Sequence, residues 1–451
     1  MFEQFEKQSA ESWRKKIEAD LKGASFDTLN WKTKEGFTLA PFYTKENRPN
    51  DSISHKKTGQ WSIIEHIKIS DEDKNNKTFL EVLACGVDAL ELDFSSKSEV
   101  NFDLLFKDVR LNCITLIMHI DCHQLDLLAS FLDYAKANYD LNTLNFSLSY
   151  DVFHSYYKSG EIDPKLDTFL NQLKSIAEAH SFETFRFGAI DLRYLELAGA
   201  TCSQQLAYAL SIAQYFVKHW GSKLVFQSMS CFSSTSSNFF FELAKLKTLR
   251  ALWAFYAEQY GETSKLWISA STSQRNKTLY DPYVNVLRTC SETFSAILAG
   301  ADAVHTQAFD HIYKESNAFS SRIARNQQLL LKGESYIEHF ADPSAGSYYV
   351  EHLVEVLEKE SYSKFQMIDS FGFEEYLSSG TLKTELENQQ NQDLEDVEQN
   401  KIELLGSNLY PNQEEQMKTE LEHELHPYQD YFLSTKRLSA HYENQRLAKE
   451  S

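Results

Sequence analysis

The sequence predicts an α/β fold: one (β/α)8, or TIM, barrel with an N-terminal extended arm before it and helices after it. Two observations predict it. Eight runs enriched in β-branched and aromatic residues recur between turn signals, at 61–69, 89–94, 113–120, 143–151, 184–191, 223–230, 265–272 and 302–309. Their starts lie 24 to 42 residues apart, which leaves room for a helix on every return; a hairpin protein places strands about every 8–12 residues. A doubly wound sheet is the alternative. It usually opens with a glycine-rich phosphate loop after its first strand, and Gly86 stands alone there.

The returns carry helix signals of their own. From Leu249, apolar side chains fall at Leu252, Trp253, Tyr256 and Tyr260, and Gly261 follows as a C-terminal cap. After the seventh run, Asp281 caps a helix that Pro282 opens, Leu287, Cys290, Phe294 and Ile297 form its apolar stripe, and Gly300 ends it.

Composition limits the function classes. A chain of 451 residues, 42% hydrophobic, buries a large core. Its formal charge of -20 disfavours nucleic acid and anionic membrane surfaces. Met1 to Trp13 is polar and acidic, unlike a secretory or transit leader, and with no apolar run of membrane length the expected location is the cytoplasm. Cys85, Cys113, Cys122, Cys202, Cys231 and Cys290 lack CxxC spacing, which favours buried reduced thiols over disulfides or zinc.

Three regions follow: arm and linker at 1–58, barrel at 59–345, and a C-terminal helical region at 346–451. The arm holds Trp13, Phe26, Trp31, Phe42 and Tyr43, too many aromatics to stay solvated, so it packs on its own barrel or on a partner. These five are the candidate partner contacts. A polar linker runs from Lys45 to Thr58. In the C-terminal region Val350, Leu353, Val354 and Leu357 form a helical stripe, whereas Thr381 to Asn400 reads as a solvated helix face or linker.

Reacting groups of a barrel sit at the C-terminal strand ends. There the sequence places Asp121, Cys122 and His123, then Asp191 and Arg193, Ser273 and Gln274, and Asp310 and His311. A divalent metal at Asp121, His123 and Asp310, serving a hydrolase, is one reading, but no HxH or HExxH spacing supports it. Serine pairs at period two, Ser147 and Ser149, Ser228 and Ser230, Ser269 and Ser271, each share a strand face. They either line a channel for an extended chain such as pantetheine or, the favoured reading, fit opposite bulky Phe185, Phe187 or Met118 in a packed interior.

Several phrases resemble methylmalonyl-CoA mutase, an adenosylcobalamin enzyme: Ala19 to Gly23, Glu35-Gly36, Pro41 to Thr44, Phe239 to Gly261, Asn285 to Thr289, Val304 to Thr306, Ser321 to Asn326 and Asp342 to Glu351. Lys436-Arg437-Leu438 with Tyr442, Glu443 and Arg446 resembles the joint before the family's cobalamin-binding domain, and the chain stops soon after. The resemblance implies departures as well. Arg193 and Tyr194 stand where the family has a catalytic Tyr-His pair, Asn47 to Gln60 lacks the loop that supplies an active-site tyrosine, and Tyr150 to Gly160 offers no carboxylate-clamping arginine. Asp121-Cys122-His123 begins like the cobalamin-binding phrase, but Asp126 replaces its glycine. The implied protein is a non-catalytic small subunit that binds no cofactor or metal itself, beside a large catalytic partner that holds adenosylcobalamin. A diverged acyl-CoA mutase borrowing cobalamin from a separate protein is the alternative within the family.

Overall fold

The computed structural model describes residues 9–47, 58–180 and 184–450. Eight parallel strands ring one axis: β1 Ser62–Lys68, β2 Ala89–Asp93, β3 Thr115–His119, β4 Asn145–Ser149, β5 in two pieces, Phe185–Arg186 and Gly188–Asp191, β6 Met229–Thr235, β7 Leu266–Thr272 and β8 Ala303–His305. The first piece of β5 pairs with β4 and the second with β6, while β8 returns to β1. The ring therefore closes through Phe187, and the fold is a (β/α)8 barrel. At the seam a Cβ on Gly188 would lie 1.9 Å from Met229 Sδ, so a larger residue there would force the Met229 side chain to move.

Two strand expectations change. Residues 223–228 belong to the helix Ser222–Ser228, and β6 begins only at Met229. A continuous apolar run carries no alternation, so periodicity alone does not separate a buried helix from a buried strand. The eighth strand stops at His305, where the chain turns and Gln307 N donates to Thr272 Oγ1 at 3.0 Å. The helix after β7 spans Val284–Leu298, and its apolar stripe is buried only in part: Ile297 is buried and Phe294 packs on the core, Cys290 is half-buried, but Leu287 is 67% exposed, while the polar Asn285, Thr289 and Glu292 are inside. Polar partners explain why these three lie inside. Lys277 Nζ meets Glu292 at 2.8 Å, and Asn285 bonds to the Thr278 backbone and to Phe309 O.

The arm lies on the barrel. A hairpin of Trp31–Lys32 and Thr38–Leu39 presents Glu35, whose carboxylate accepts from Cys202 N at 2.8 Å, Ser203 N at 3.2 Å and Ser203 Oγ at 2.6 Å. It thereby caps the helix Cys202–Trp220 from another segment. Phe37 stacks on Phe241, and Tyr43 on His352. The central part of the linker, 48–57, and residues 1–8 of the amino terminus lie outside the described residues.

The C-terminal helix Tyr348–Asp369 buries Val350, Leu353, Val354 and Leu357 as expected. The polar stretch is instead the helix Thr381–Glu398 with one face inside, where Asp393 pairs with Arg275 at 2.7 Å and Gln390 donates to Ala198 O and Ser434 O. Its buried polar residues find partners in the rest of the chain, so the linker reading fails and the solvated reading holds for the opposite face alone. All six cysteines are free thiols, but only Cys202 and Cys231 are buried, and Cys85 and Cys113 are exposed. Among the described residues no helix is long and apolar enough to cross a membrane.

Candidate functional site

The barrel interior is filled from the floor upward. Arg186 lies 5.1 Å from the Trp267 ring centre and donates to Asn145 Oδ1 and Ser147 Oγ, and Ser230 Oγ meets Ser147 Oγ at 3.2 Å. Above them the Arg193 guanidinium sits 5.0 Å over the Phe232 ring. The serines thus face inward against bulk, though the bulk is Trp267, Phe232 and two arginines. Phe185 and Phe187 pack with Phe146, which stacks on Phe131 of the helix Leu125–Asn138. They face the helix layer, as does Met118, which alternates with inward His119. Ser228 ends a helix and donates to Leu224 O.

A cavity of about 320 Å³ opens above this layer, at the C-terminal strand ends. Its floor is Arg193. Arg193 Nε donates to Asp191 Oδ1 at 3.0 Å, Nη2 to Asp191 Oδ2 at 2.6 Å and to Ser149 Oγ at 3.1 Å, and Nη1 to Glu91 Oε1 at 2.7 Å. Burial opposes charge on Glu91, but Arg193, with His66 and His305, outweighs it and holds the carboxyl down at about 2. Asp151 moves the other way. Burial, then the neighbouring Asp191, raises it well above the usual carboxylate range. Burial also drives His305 down to about 3 and His311 to about 4, with His66 adding to both, so these imidazoles are neutral at pH 7.

A strap of the C-terminal region covers one side of the mouth. Leu433 N donates to Tyr157 O at 2.9 Å, Phe432 N to Lys158 O at 3.0 Å, and Tyr194 Oη to Leu433 O at 2.6 Å. Tyr194 stacks between Tyr157 and Tyr431, with Tyr428 edge-on.

Of the rim residues named from sequence, Asp191, Arg193, Gln274 and His311 reach the cavity. Ser273 turns to Glu196 at 2.8 Å. His123 is exposed and pairs with Asp163 at 3.1 Å, Cys122 points its thiol toward Asp151 O with burial raising it to about 12, and Asp310 is buried. Asp121, His123 and Asp310 therefore do not converge, and among the described residues no three His, Cys, Asp or Glu side chains form a metal-holding group. Sequence reasoning missed His66, Glu91, Asp93, His119 and His305. The signal was present for four of them: Glu91, Asp93, His119 and His305 are polar residues at the last or next-to-last inward positions of otherwise largely apolar strands, whereas His66 lies in the mixed strand β1.

The five arm aromatics divide. Phe26 is buried, with Arg14 over its ring at 4.5 Å; Phe42 and Tyr43 are partly covered; Trp13 and Trp31 remain 45% and 50% exposed.

Residues 95–446 match the methylmalonyl-CoA mutase family. The chain is 34% identical to the methylmalonyl-CoA mutase small subunit of Porphyromonas gingivalis, over 91% of this chain and 71% of that one. It is 26% identical to the methylmalonyl-CoA mutase of Cereibacter sphaeroides, over 84% of this chain and 61% of the relative. Against the large subunit of Porphyromonas gingivalis the identity is 23%, over 78% and 56%. The chain thus spans less than two thirds of the length of these last two relatives. Match and coverage together show the family: this chain belongs to the methylmalonyl-CoA mutases.

Proposed function

We propose that the chain is the non-catalytic small subunit of a heterodimeric methylmalonyl-CoA mutase in the cytoplasm. A large partner carries adenosylcobalamin and the isomerisation, and this subunit supports it. One observation carries the reading. Arg193, at the position where the resemblance expects a reactive pair, is tied to two carboxylates and a serine and blocks the barrel axis together with Phe232. A group locked in a buried ion pair is poorly placed to contact a migrating substrate group.

The shape of this mouth supports a chain that leaves the cofactor to its partner. A corrinoid is far larger than a cavity of about 320 Å³, and it would have to displace Tyr428 and Tyr431 from Tyr194. No step of the radical chemistry is assigned to these residues. Two further facts favour a pair: the 34% identical relative is named a small subunit, and a large subunit from the same organism is also similar.

Co-expression with a large mutase chain, followed by size measurement, should give a one-to-one complex with turnover. The single chain should neither retain adenosylcobalamin at micromolar concentration in a spectroscopic titration nor isomerise methylmalonyl-CoA. Turnover by the single chain, or a monomer in excess large subunit, defeats the proposal.

A further inference from the structure

The mouth cavity has more negative charge on its wall than the wall itself neutralises. Glu91, Asp93 and Asp191 face it, and among the described residues Arg193 is the one lysine or arginine that does. Asp93 is held ionised: burial opposes its charge, but hydrogen bonds from Ser95 and the neighbouring His119 and His66 outweigh it. Of the remaining lining carboxyls, Asp151 is driven toward its neutral form and Glu196 is bound by Ser273. Burial works against positive charge on four of the lining histidines, His119, His154, His305 and His311. Three carboxylates against one guanidinium in a concave, partly desolvated space focus a negative potential.

The same wall holds unused hydrogen-bonding groups. The hydroxyls of Ser234 and Ser271, in residues 5% and 7% exposed, have no partner among the described residues. Nor do the side-chain amides of Gln274 and Gln307 or the ring nitrogens of His305. Ser234 and Ser271 are buried residues whose hydroxyls open only onto this cavity, and polar groups so placed are normally satisfied by a ligand or water. The volume lies at the lower end of the about 300–1,000 Å³ typical of small-molecule pockets.

From this charge balance and these open acceptors we infer that the barrel mouth binds a small organic cation, an ammonium compound with hydroxyl groups beside its charge. Glu91 and Asp191 already serve Arg193, so Asp93 is the ion-pair partner for the ammonium, and the serine, glutamine and histidine groups receive its hydroxyls. A bare metal ion is disfavoured because among the described residues no three ligating side chains converge. An anion such as a dicarboxylate meets like charge. The inference rests on the non-catalytic reading above, which leaves this mouth free for a ligand other than the partner's substrate.

Three probes of one carbon skeleton separate the possibilities: 2-aminopropane-1,3-diol, glycerol and malonate, titrated calorimetrically into the full-length chain. The aminodiol should bind saturably and raise the melting temperature, with little effect from glycerol or malonate. Asp93→Asn should weaken it about tenfold, and Ser271→Ala should weaken it without changing the preference for the cation. Equal or tighter binding of malonate or glycerol, no saturable aminodiol signal, or unchanged affinity in Asp93→Asn overturns the inference. Failure here with an intact heterodimer leaves the proposed function standing, whereas turnover by the single chain removes that reading whatever the probes do.

Discussion

Arg193 joins three residues from β2, β4 and the end of β5, and its removal from one side leaves buried carboxylates facing each other. Breaking such a pair costs about 3–5 kcal/mol, so Arg193→Met should melt well below the parent in calorimetry. The gap should depend on pH. Glu91, held at about 2 against an ordinary 4.5, contributes stability that is present above about 4.5 and lost as pH falls toward 2, so parent and variant converge in that window. A gap independent of pH would mean that Arg193 acts only by packing on Phe232. His305 titrates in another range. Its folded value of about 3 against 6.5 means that the unfolded chain takes up the proton first, so stability is full above about 6.5 and declines as pH falls to about 3. His305→Gln should flatten the curve of melting temperature against pH there; an unchanged slope rejects the assignment. Arg193 was legible in the sequence from its place at the end of the fifth run as well as through the resemblance. Ser149 was legible as an inward-facing member of a serine pair, but its bond to Arg193 and the part played by Glu91 were not, because the strand pattern does not say which distant arginine a polar residue meets.

Among the elements, the arm hairpin and the helix Cys202–Trp220 are joined by Glu35. Glu35→Ala removes a carboxylate from a helix N-terminus, a loss of about 1–2 kcal/mol. Hydrogen exchange at the Cys202 and Ser203 amides and in the hairpin should quicken together. If only the helix start responds, Phe37 on Phe241 and Tyr43 on His352 anchor the arm without the latch. The helix stripe at Val350, Leu353, Val354 and Leu357 could be read because apolar spacing fixes a buried face. The buried polar faces of the helix Thr381–Glu398 and of the helix Val284–Leu298 could not, although the second helix itself was legible from its end at Gly300 and part of its apolar stripe. Each buries polar groups against partners far along the chain, Asp393 on Arg275 and Glu292 on Lys277, and periodicity of apolar residues is blind to that.

At the scale of the whole molecule, eight spaced runs were enough to reach the barrel, since parallel strands with helical returns have few ways to close. The covering of its mouth was not legible: residues 428–433 reach Tyr157 and Tyr194 from more than two hundred positions away. The arm is the part whose role in a pair can be measured. It is latched to its own barrel by Glu35, Phe37 and Tyr43, yet Trp13 and Trp31 keep about half of their surface open. Exposed tryptophans on an anchored arm suit a partner interface, where aromatic anchors dominate binding and one truncation costs about 2 kcal/mol or more. The double change Trp13→Ser with Trp31→Ser should therefore weaken association with the large subunit while moving the melting temperature of the single chain little. Deleting residues 1–44 should do both, because it also removes the Glu35 cap and the Phe37 stack. A pull-down of the large subunit, with melting curves recorded beside it, decides between the two roles: full association of the double variant with the large subunit would show that the arm serves its own barrel alone and that the partner binds elsewhere.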